Sequence, residues 1–96
     1  PAPGVRLEAL RRALAGRRRV ALGYRDNAGA ATTRRVRPLG LFFWGDRWSL
    51  AAWCVLRQDF RNFRLDRVVT LDVLDDAFPD EAGRRIEDFL RRVQSE

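Results

Sequence analysis

The sequence predicts a mostly β, α+β domain: a small barrel of about five strands with an N-terminal helix and a C-terminal helix. Three observations lead there. Five or six short segments rich in branched and aromatic residues follow one another within residues 19–74, separated by turn signals. Apolar residues recur three and four apart at both ends of the chain, which is helical spacing. The chain has 96 residues, 46% of them hydrophobic, enough for one domain with a limited core.

Taken in order, residues 1–4, "PAPG", read as a linker remnant, and no Met occurs anywhere. The domain is therefore expected to be a piece of a larger protein. Residues 5–16 place Leu7, Leu10 and Leu14 on one helical face, close at Gly16, and leave Arg6, Arg11 and Arg12 off the stripe. In "RVALGYR" (19–25), Val20, Leu22 and Tyr24 share a face. A turn, "DNAG" (26–29), leads to a partner strand at 32–40. Segments 39–44 and 47–56 flank Gly45-Asp46, a two-residue hairpin turn. "RQDF" (57–60) is a turn, and 61–65 and 68–74 are the last strands. Segment 47–56 is apolar on both faces. Trp48, Leu50, Ala52 and Cys54 form one, and Ser49, Ala51, Trp53 and Val55 the other. One face fills the barrel, and the other must be covered by a helix, a partner subunit or a ligand. The tail, 77–96, follows the barrel unit 5–76. It reads as a helix over 78–93 with Pro79 at its first position and Ile86, Phe89, Leu90 and Val93 as its stripe. Asp80–Arg84, Glu81–Arg85, Glu87–Arg91 and Asp88–Arg92 stand four apart, so each tail arginine is given a local partner.

The net charge of +6 is unevenly spread. Residues 1–67 hold 15 Arg against 5 acids, and residues 68–96 hold 4 Arg against 8 acids. Every basic residue is Arg, whose planar fork suits phosphate and stacking on bases, so an anionic partner is expected. With no His and one Cys, no ordinary zinc site or nucleophile–histidine pair can be assembled. Asp75, Asp76, Asp80 and Glu81 gather near a helix start, where acids have a structural role. We therefore expect no enzyme, no metal and no cofactor. Cys54 reads as a buried thiol in a cytoplasmic protein, and no run approaches the roughly 20 apolar residues of a membrane span.

In the barrel region, Arg25, Arg34, Arg35, Arg37, Arg47, Arg57, Arg61, Arg64 and Arg67 outnumber Asp26, Asp46, Asp59 and Asp66. Asp66 can pair with Arg64 or Arg67, and Asp59 with Arg57 or Arg61. Arginines interleaved with Tyr24, Phe63, Trp48 and Trp53 are what a single-stranded nucleic acid site needs: charge for phosphates and rings for bases. Phe42, Phe43 and Phe60 are assigned to packing.

The ordered set of a Tyr before an Asp-containing turn, then "RVRPLGL", "WGDRWSLAAWC" and "RNFRLDRV", resembles the WYL domain of bacterial winged helix-turn-helix transcriptional regulators. "RNFRLDR" (61–67) is its strongest part. The resemblance implies an Sm-like, SH3-like barrel, an upstream helix-turn-helix that binds DNA, and an effector that is single-stranded DNA or a nucleotide. It also implies effector contacts at Tyr24, Arg37, Ser49, Arg61, Arg64 and Arg67, with Trp48 and Leu50 holding the barrel. Ser49 stands where the family has Tyr. A roomier or weaker contact is expected there, with Trp53 as the ring that compensates. Two other readings stay open: a homodimerisation module using the Trp53 face of 47–56, and a direct Sm-like RNA-binding module.

Overall fold

The computed structural model describes residues 3–95, with side chains from 7 to 94. In chain order the elements are α1 (Pro3–Gly16), β1 (Arg18–Arg25), β2 (Ala31–Trp44), β3 (Arg47–Cys54), β4 (Asp59–Arg64), a 3-10 turn (Leu65–Arg67), β5 (Val68–Ala77) and α2 (Ile86–Ser95). Of the expected linker, Pro1 and Ala2 lie outside the described residues, and Pro3 opens α1, where a missing N–H costs nothing. The Arg6 side chain also lies outside them. Gly16 is the last helical residue. The left-handed position just after it is Arg17, with φ 49°, whose N–H reaches the Leu14 carbonyl.

The strands form one antiparallel sheet ordered β4-β3-β2-β1-β5. Its two edges, β4 and β5, are consecutive in the chain and joined by three residues, so the sheet curls to bring the end of β4 near the start of β5. Val20, Leu22, Tyr24, Val36, Leu50, Ala52, Cys54 and Phe63 fill the inside, and Leu10 and Ala13 of α1 close it. The inner face of β3 is therefore the Leu50–Ala52–Cys54 face, with Trp48 packed against its end.

Two sequence expectations merge or move. Segments 32–40 and 39–44 are one strand, broken in register between Pro38 and Gly40. Pro38 has no N–H for the ladder, and a bulge there bends the strand. The turn after β3 occupies 55–58, with Gln58 at φ 53° closing on the Cys54 carbonyl, so β4 starts at Asp59.

The other face of β3 is covered by the chain's own C-terminal arm. Phe89 of α2 lies 5.8 Å from Phe60 and 6.4 Å from Phe42, ring centre to ring centre. Trp53 meets Phe60 edge-on at 5.1 Å, and the Arg84 guanidinium sits 4.7 Å over the Trp53 ring. Gly40 permits this approach, because a Cβ there would come 3.1 Å from Ile86. The homodimer reading that used the Trp53 face is thus displaced by an intramolecular cover.

The helix expected at 78–93 is α2 at Ile86–Ser95, preceded by an irregular strap. Gly83 at φ 88° interrupts a helix, and each acid of the strap divides itself between a tertiary partner and a nearby arginine that is not four residues on. Asp80 pairs with Arg85 and Arg17, and Glu81 with Arg37 and Arg84. Further on, Arg91 pairs with Asp88, three residues before it, and Arg92 crosses to Asp59 on β4. The helix start is secured by Asp88, whose carboxylate accepts the Arg85 backbone N–H at 3.0 Å, one half of a capping box.

Candidate functional site

The segment "RNFRLDR" runs from the edge strand β4 into the 3-10 turn, and buried Leu65 pins that turn to the core. Tyr24 fixes it from the side. The Tyr24 ring is buried edge-on to Phe63 at 5.1 Å, and its hydroxyl accepts the Arg64 backbone N–H at 3.1 Å. Tyr24 is therefore an anchor of the turn. The Arg64 side chain grips Asp66 with two bonds, Nε to Oδ1 at 3.0 Å and Nη2 to Oδ2 at 2.6 Å. That pairing raises the Arg64 pKa and lowers that of Asp66, against opposing desolvation. Arg64 stands opposite Ser49, two residues from Arg47 at the start of β3, so the β2–β3 hairpin tip and the 3-10 turn lie at the same end of β3.

Arg67 faces the β1–β2 turn, where its Nη1 donates to the Asn27 side-chain oxygen. Beside it, Arg25 donates to the Gly29 carbonyl at 2.9 Å. Asp26 organises this turn by accepting the N–H groups of Ala28 and Ala30 at 3.0 and 2.9 Å, while Gly29 takes φ 85°. Between the two turns lies an open cavity of about 370 Å³ lined by Arg25, Asp26, Asn27, Gly29, Asp66, Arg67, Val68 and Val69. Among the described residues, neither Arg25 nor Arg67 is in salt-bridge contact with a carboxylate, although Asp66, across the cavity, feels the Arg67 charge.

The six residues singled out from the sequence divide as follows. Tyr24, Arg64 and Arg67 converge on the 3-10 turn, and Ser49 stands directly across from Arg64 on β3. Ser49 is only 5% exposed, enclosed between the strands that carry Phe42 and Arg64, so its small side chain opens no roomy contact. Trp53, the expected substitute ring, is 8% exposed under Arg84 and Phe60 and is not available to a ligand. Arg61 lies on the core-facing side of β4, opposite Ala52, with its guanidinium 4.9 Å over the Phe63 ring. No carboxylate pairs with it among the described residues, because Asp59 is taken by Arg92.

Arg37 stands apart. It is opposite Trp53, four residues along β3 from Ser49, or about 13 Å at strand spacing. Its side chain is 11% exposed and bonded to Glu81 at 2.9 Å, with the Phe78 ring 5.8 Å away. Its Nε is buried without a partner. Glu81 is correspondingly held below the ordinary carboxylate range, chiefly by this hydrogen bond.

The stacking reading of the barrel aromatics and the packing assignment of Phe43 both change. Tyr24, Phe63 and Trp53 are buried, whereas Phe43 and Trp44 are 55% and 56% exposed at the hairpin tip. The signal was present in Gly45-Asp46, since residues that flank a two-residue turn lie at the end of a ribbon, beyond the cover of the core. Among the described residues no three His, Cys, Asp or Glu side chains are grouped to hold a metal ion, and no helix is long and apolar enough to cross a membrane.

The family description "WYL domain" matches residues 6–73, from α1 through most of β5. The chain belongs to the WYL domain family. Outside the family match lies the arm that supplies Glu81, Arg84 and Phe89. Among curated proteins, this WYL domain is 32% identical over 59 residues to an uncharacterized HTH-type transcriptional regulator, YobV, of Bacillus subtilis, covering 62% of this chain and 19% of that protein. Among solved structures, it aligns with the proteasome accessory factor B/C (PafBC) of Arthrobacter aurescens at a TM-score of 0.77 and 31% identity, over 86% of this chain and 13% of that one. The WYL domain thus spans about a fifth or less of the proteins it matches.

Proposed function

We propose that this WYL domain is the effector-sensing part of a transcriptional regulator that carries an upstream helix-turn-helix. Its effector is a nucleic-acid-like anion, short single-stranded DNA or a nucleotide, held at the 3-10 turn. The similarity to an HTH-type regulator and to PafBC supports the regulatory half of this reading. One observation carries the ligand half: Arg67 and Arg25 line an open cavity while bonded only to neutral oxygens. A phosphate there replaces two neutral acceptors with guanidinium–phosphate bonds about twice as strong, and it sits on the arginine side of a cavity that Asp26 and Asp66 also line. At Arg37 the same phosphate has to displace Glu81.

The domain is titrated with short single-stranded DNA, following tryptophan fluorescence at low and moderate salt. Affinity is expected to fall with salt at a slope of about 0.7 per phosphate contacted. An Arg61→Ala, Arg67→Ala double variant is expected to lose most of that binding and to flatten the slope. Unchanged binding in the double variant overturns this site assignment. A ribose strand of equal sequence run alongside separates this reading from a direct RNA-binding role, which requires the ribose strand to bind more tightly.

A further inference from the structure

We propose that the β2–β3 hairpin tip is a base-stacking platform, on which Phe43 and Trp44 take unpaired bases of the strand whose phosphates lie at Arg67 and Arg25. This rests on the reading that a nucleic acid strand binds at the 3-10 turn, and adds to it a separate subsite with its own chemistry. Large rings left more than half exposed are unusual when the same chain buries Phe63, Trp53 and Phe89. Each exposed ring is backed by another. Trp44 stacks on Phe42 at 5.8 Å and 23°, and Phe42 leans on Phe89 of α2. On the opposite face of the ribbon, Phe43 rests on Trp48 at 5.3 Å and 59°, and Trp48 packs against the core. The backing rings orient the exposed ones in advance and leave their outer surfaces to solvent. The turn is equally constrained: Trp44 pairs with Arg47 across two residues, and Gly45 takes φ 60°, as a type II′ turn requires.

Charge selects the occupant. Arg47, next to Trp48 and across from Trp44, has Asp46 as its carboxylate partner at 3.8 Å, and both side chains are more than half exposed. Such a pair is weak in water and yields readily to a phosphate. Ser49, which stands opposite Arg64, is two residues along β3 from Arg47, so the tip and the 3-10 turn lie at the same end of β3 and one polyanion can reach both. Flat rings beside guanidinium groups fit a strand whose bases are unpaired, because every base offers a π-face.

The test uses the folded domain and two probes, an oligothymidylate of about 8 nucleotides and an abasic strand of equal length. Trp44→Ala and Phe43→Ala are each expected to weaken the base-bearing strand roughly ten-fold, leaving the abasic strand and the salt slope unchanged. Trp44→Phe is expected to retain most of the affinity, which distinguishes stacking from loss of a structural support. Arg67→Ala is expected to weaken both strands and lower the salt slope. The platform is overturned if the ring variants weaken both strands equally or neither, or if the base-bearing strand binds no tighter than the abasic one. If abasic binding survives in that case, the phosphate site stands and the platform alone fails; if no strand binds, both fail. Molar mass by sedimentation adds one outcome: a dimer that Trp44→Ala dissociates, with strand affinity unchanged, makes the tip a contact between copies and overturns the platform.

Discussion

Two ends of this molecule are rich in arginine and differ in what the arginines touch. Near the α1–β1 junction and on the outer face of β2, Arg17, Arg19 and Arg37 each meet a carboxylate from the last third of the chain: Asp80, Asp76 and Glu81. Around the 3-10 turn only Arg64 holds a carboxylate, Asp66, among the described residues; Arg25 and Arg67 meet a carbonyl and an amide oxygen, and Arg61, further back on β4, meets a ring. The uneven charge of the sequence is therefore cancelled by folding more completely at the first end than at the second, where Asp66 takes Arg64 but leaves Arg25 and Arg67 to neutral acceptors. A guanidinium that the chain has already satisfied with its own acid is a structural part. One left with neutral acceptors beside an open cavity remains able to take an anion at little cost. The distinction divides Arg37 from Arg67, both of which the family resemblance names as effector contacts.

The largest expected effect comes from removing the cover at the first of these regions. Phe89→Ala strips the ring that α2 lays on Phe42 and Phe60, and it is expected to destabilise the domain by about 3 kcal/mol. Denaturant midpoints measure this directly. If the arm is only loosely laid on the sheet, the loss is a fraction of that, and the assignment of this region to structure fails.

The next test exchanges the two arginines. Arg67→Ala is expected to weaken single-stranded DNA binding by roughly ten-fold or more and to reduce the salt slope by about 0.7. Its denaturant midpoint should stay within the range of ordinary surface substitutions, about 0.5 kcal/mol. Arg37→Ala is expected to behave in the opposite way. It loosens the strap that carries Glu81, lowers the midpoint, and leaves the salt slope untouched. Matching behaviour in the two variants erases the contrast between the ends.

Much of this was legible in the sequence, for reasons that also mark the limit. Strand alternation put Val20, Leu22 and Tyr24 on one side of β1 and identified Leu50, Ala52 and Cys54 as a common face, because the period of two is local. Trp44 and Arg47 pair across Gly45-Asp46, as a two-residue turn dictates. The bulge after Pro38 was not legible as such, and it reverses which alternate residues of β2 face inward. Val36 and Pro38 stand opposite Cys54 and Ala52, but beyond the bulge Leu41 and Phe43 stand opposite Leu50 and Trp48. Phe42 is thereby turned to the outer face beneath α2, and Phe43 is carried to the tip. Arginine partners were read from neighbours in sequence, whereas Arg92 finds Asp59, 33 residues away, and Arg37 finds Glu81, 44 residues away. Tertiary pairing of that kind leaves no local pattern. The site motif was visible in "RNFRLDR", but which arginine its own Asp66 takes, and that Asp59 goes to Arg92, depended on side-chain geometry that leaves no pattern in the sequence.

The smallest effect is the most discriminating, because it titrates both ends together. Glu81 is held below the ordinary carboxylate range mainly by the Arg37 hydrogen bond, Asp59 by Arg92, and Asp66 by Arg64. A carboxylate whose pKa is depressed by folding stabilises the native state fully above the ordinary range, about 4, and loses that contribution as pH falls through the depressed value. Stability is therefore expected to be level from pH 7 to about 5 and to decline below about 4, with Glu81→Gln removing part of the decline. The consequences for binding differ between the ends. Protonating or replacing Asp66 releases Arg64 beside Arg67 and removes one negative charge from the site. Asp66→Asn is thus expected to tighten single-stranded DNA binding at pH 7 and to steepen its salt dependence. Glu81→Gln releases Arg37 under the strap, where its side chain remains largely covered, and leaves both quantities unchanged. Salt-dependent titrations of the two variants measure this, and an equal gain from both shows that the strap end also receives the strand.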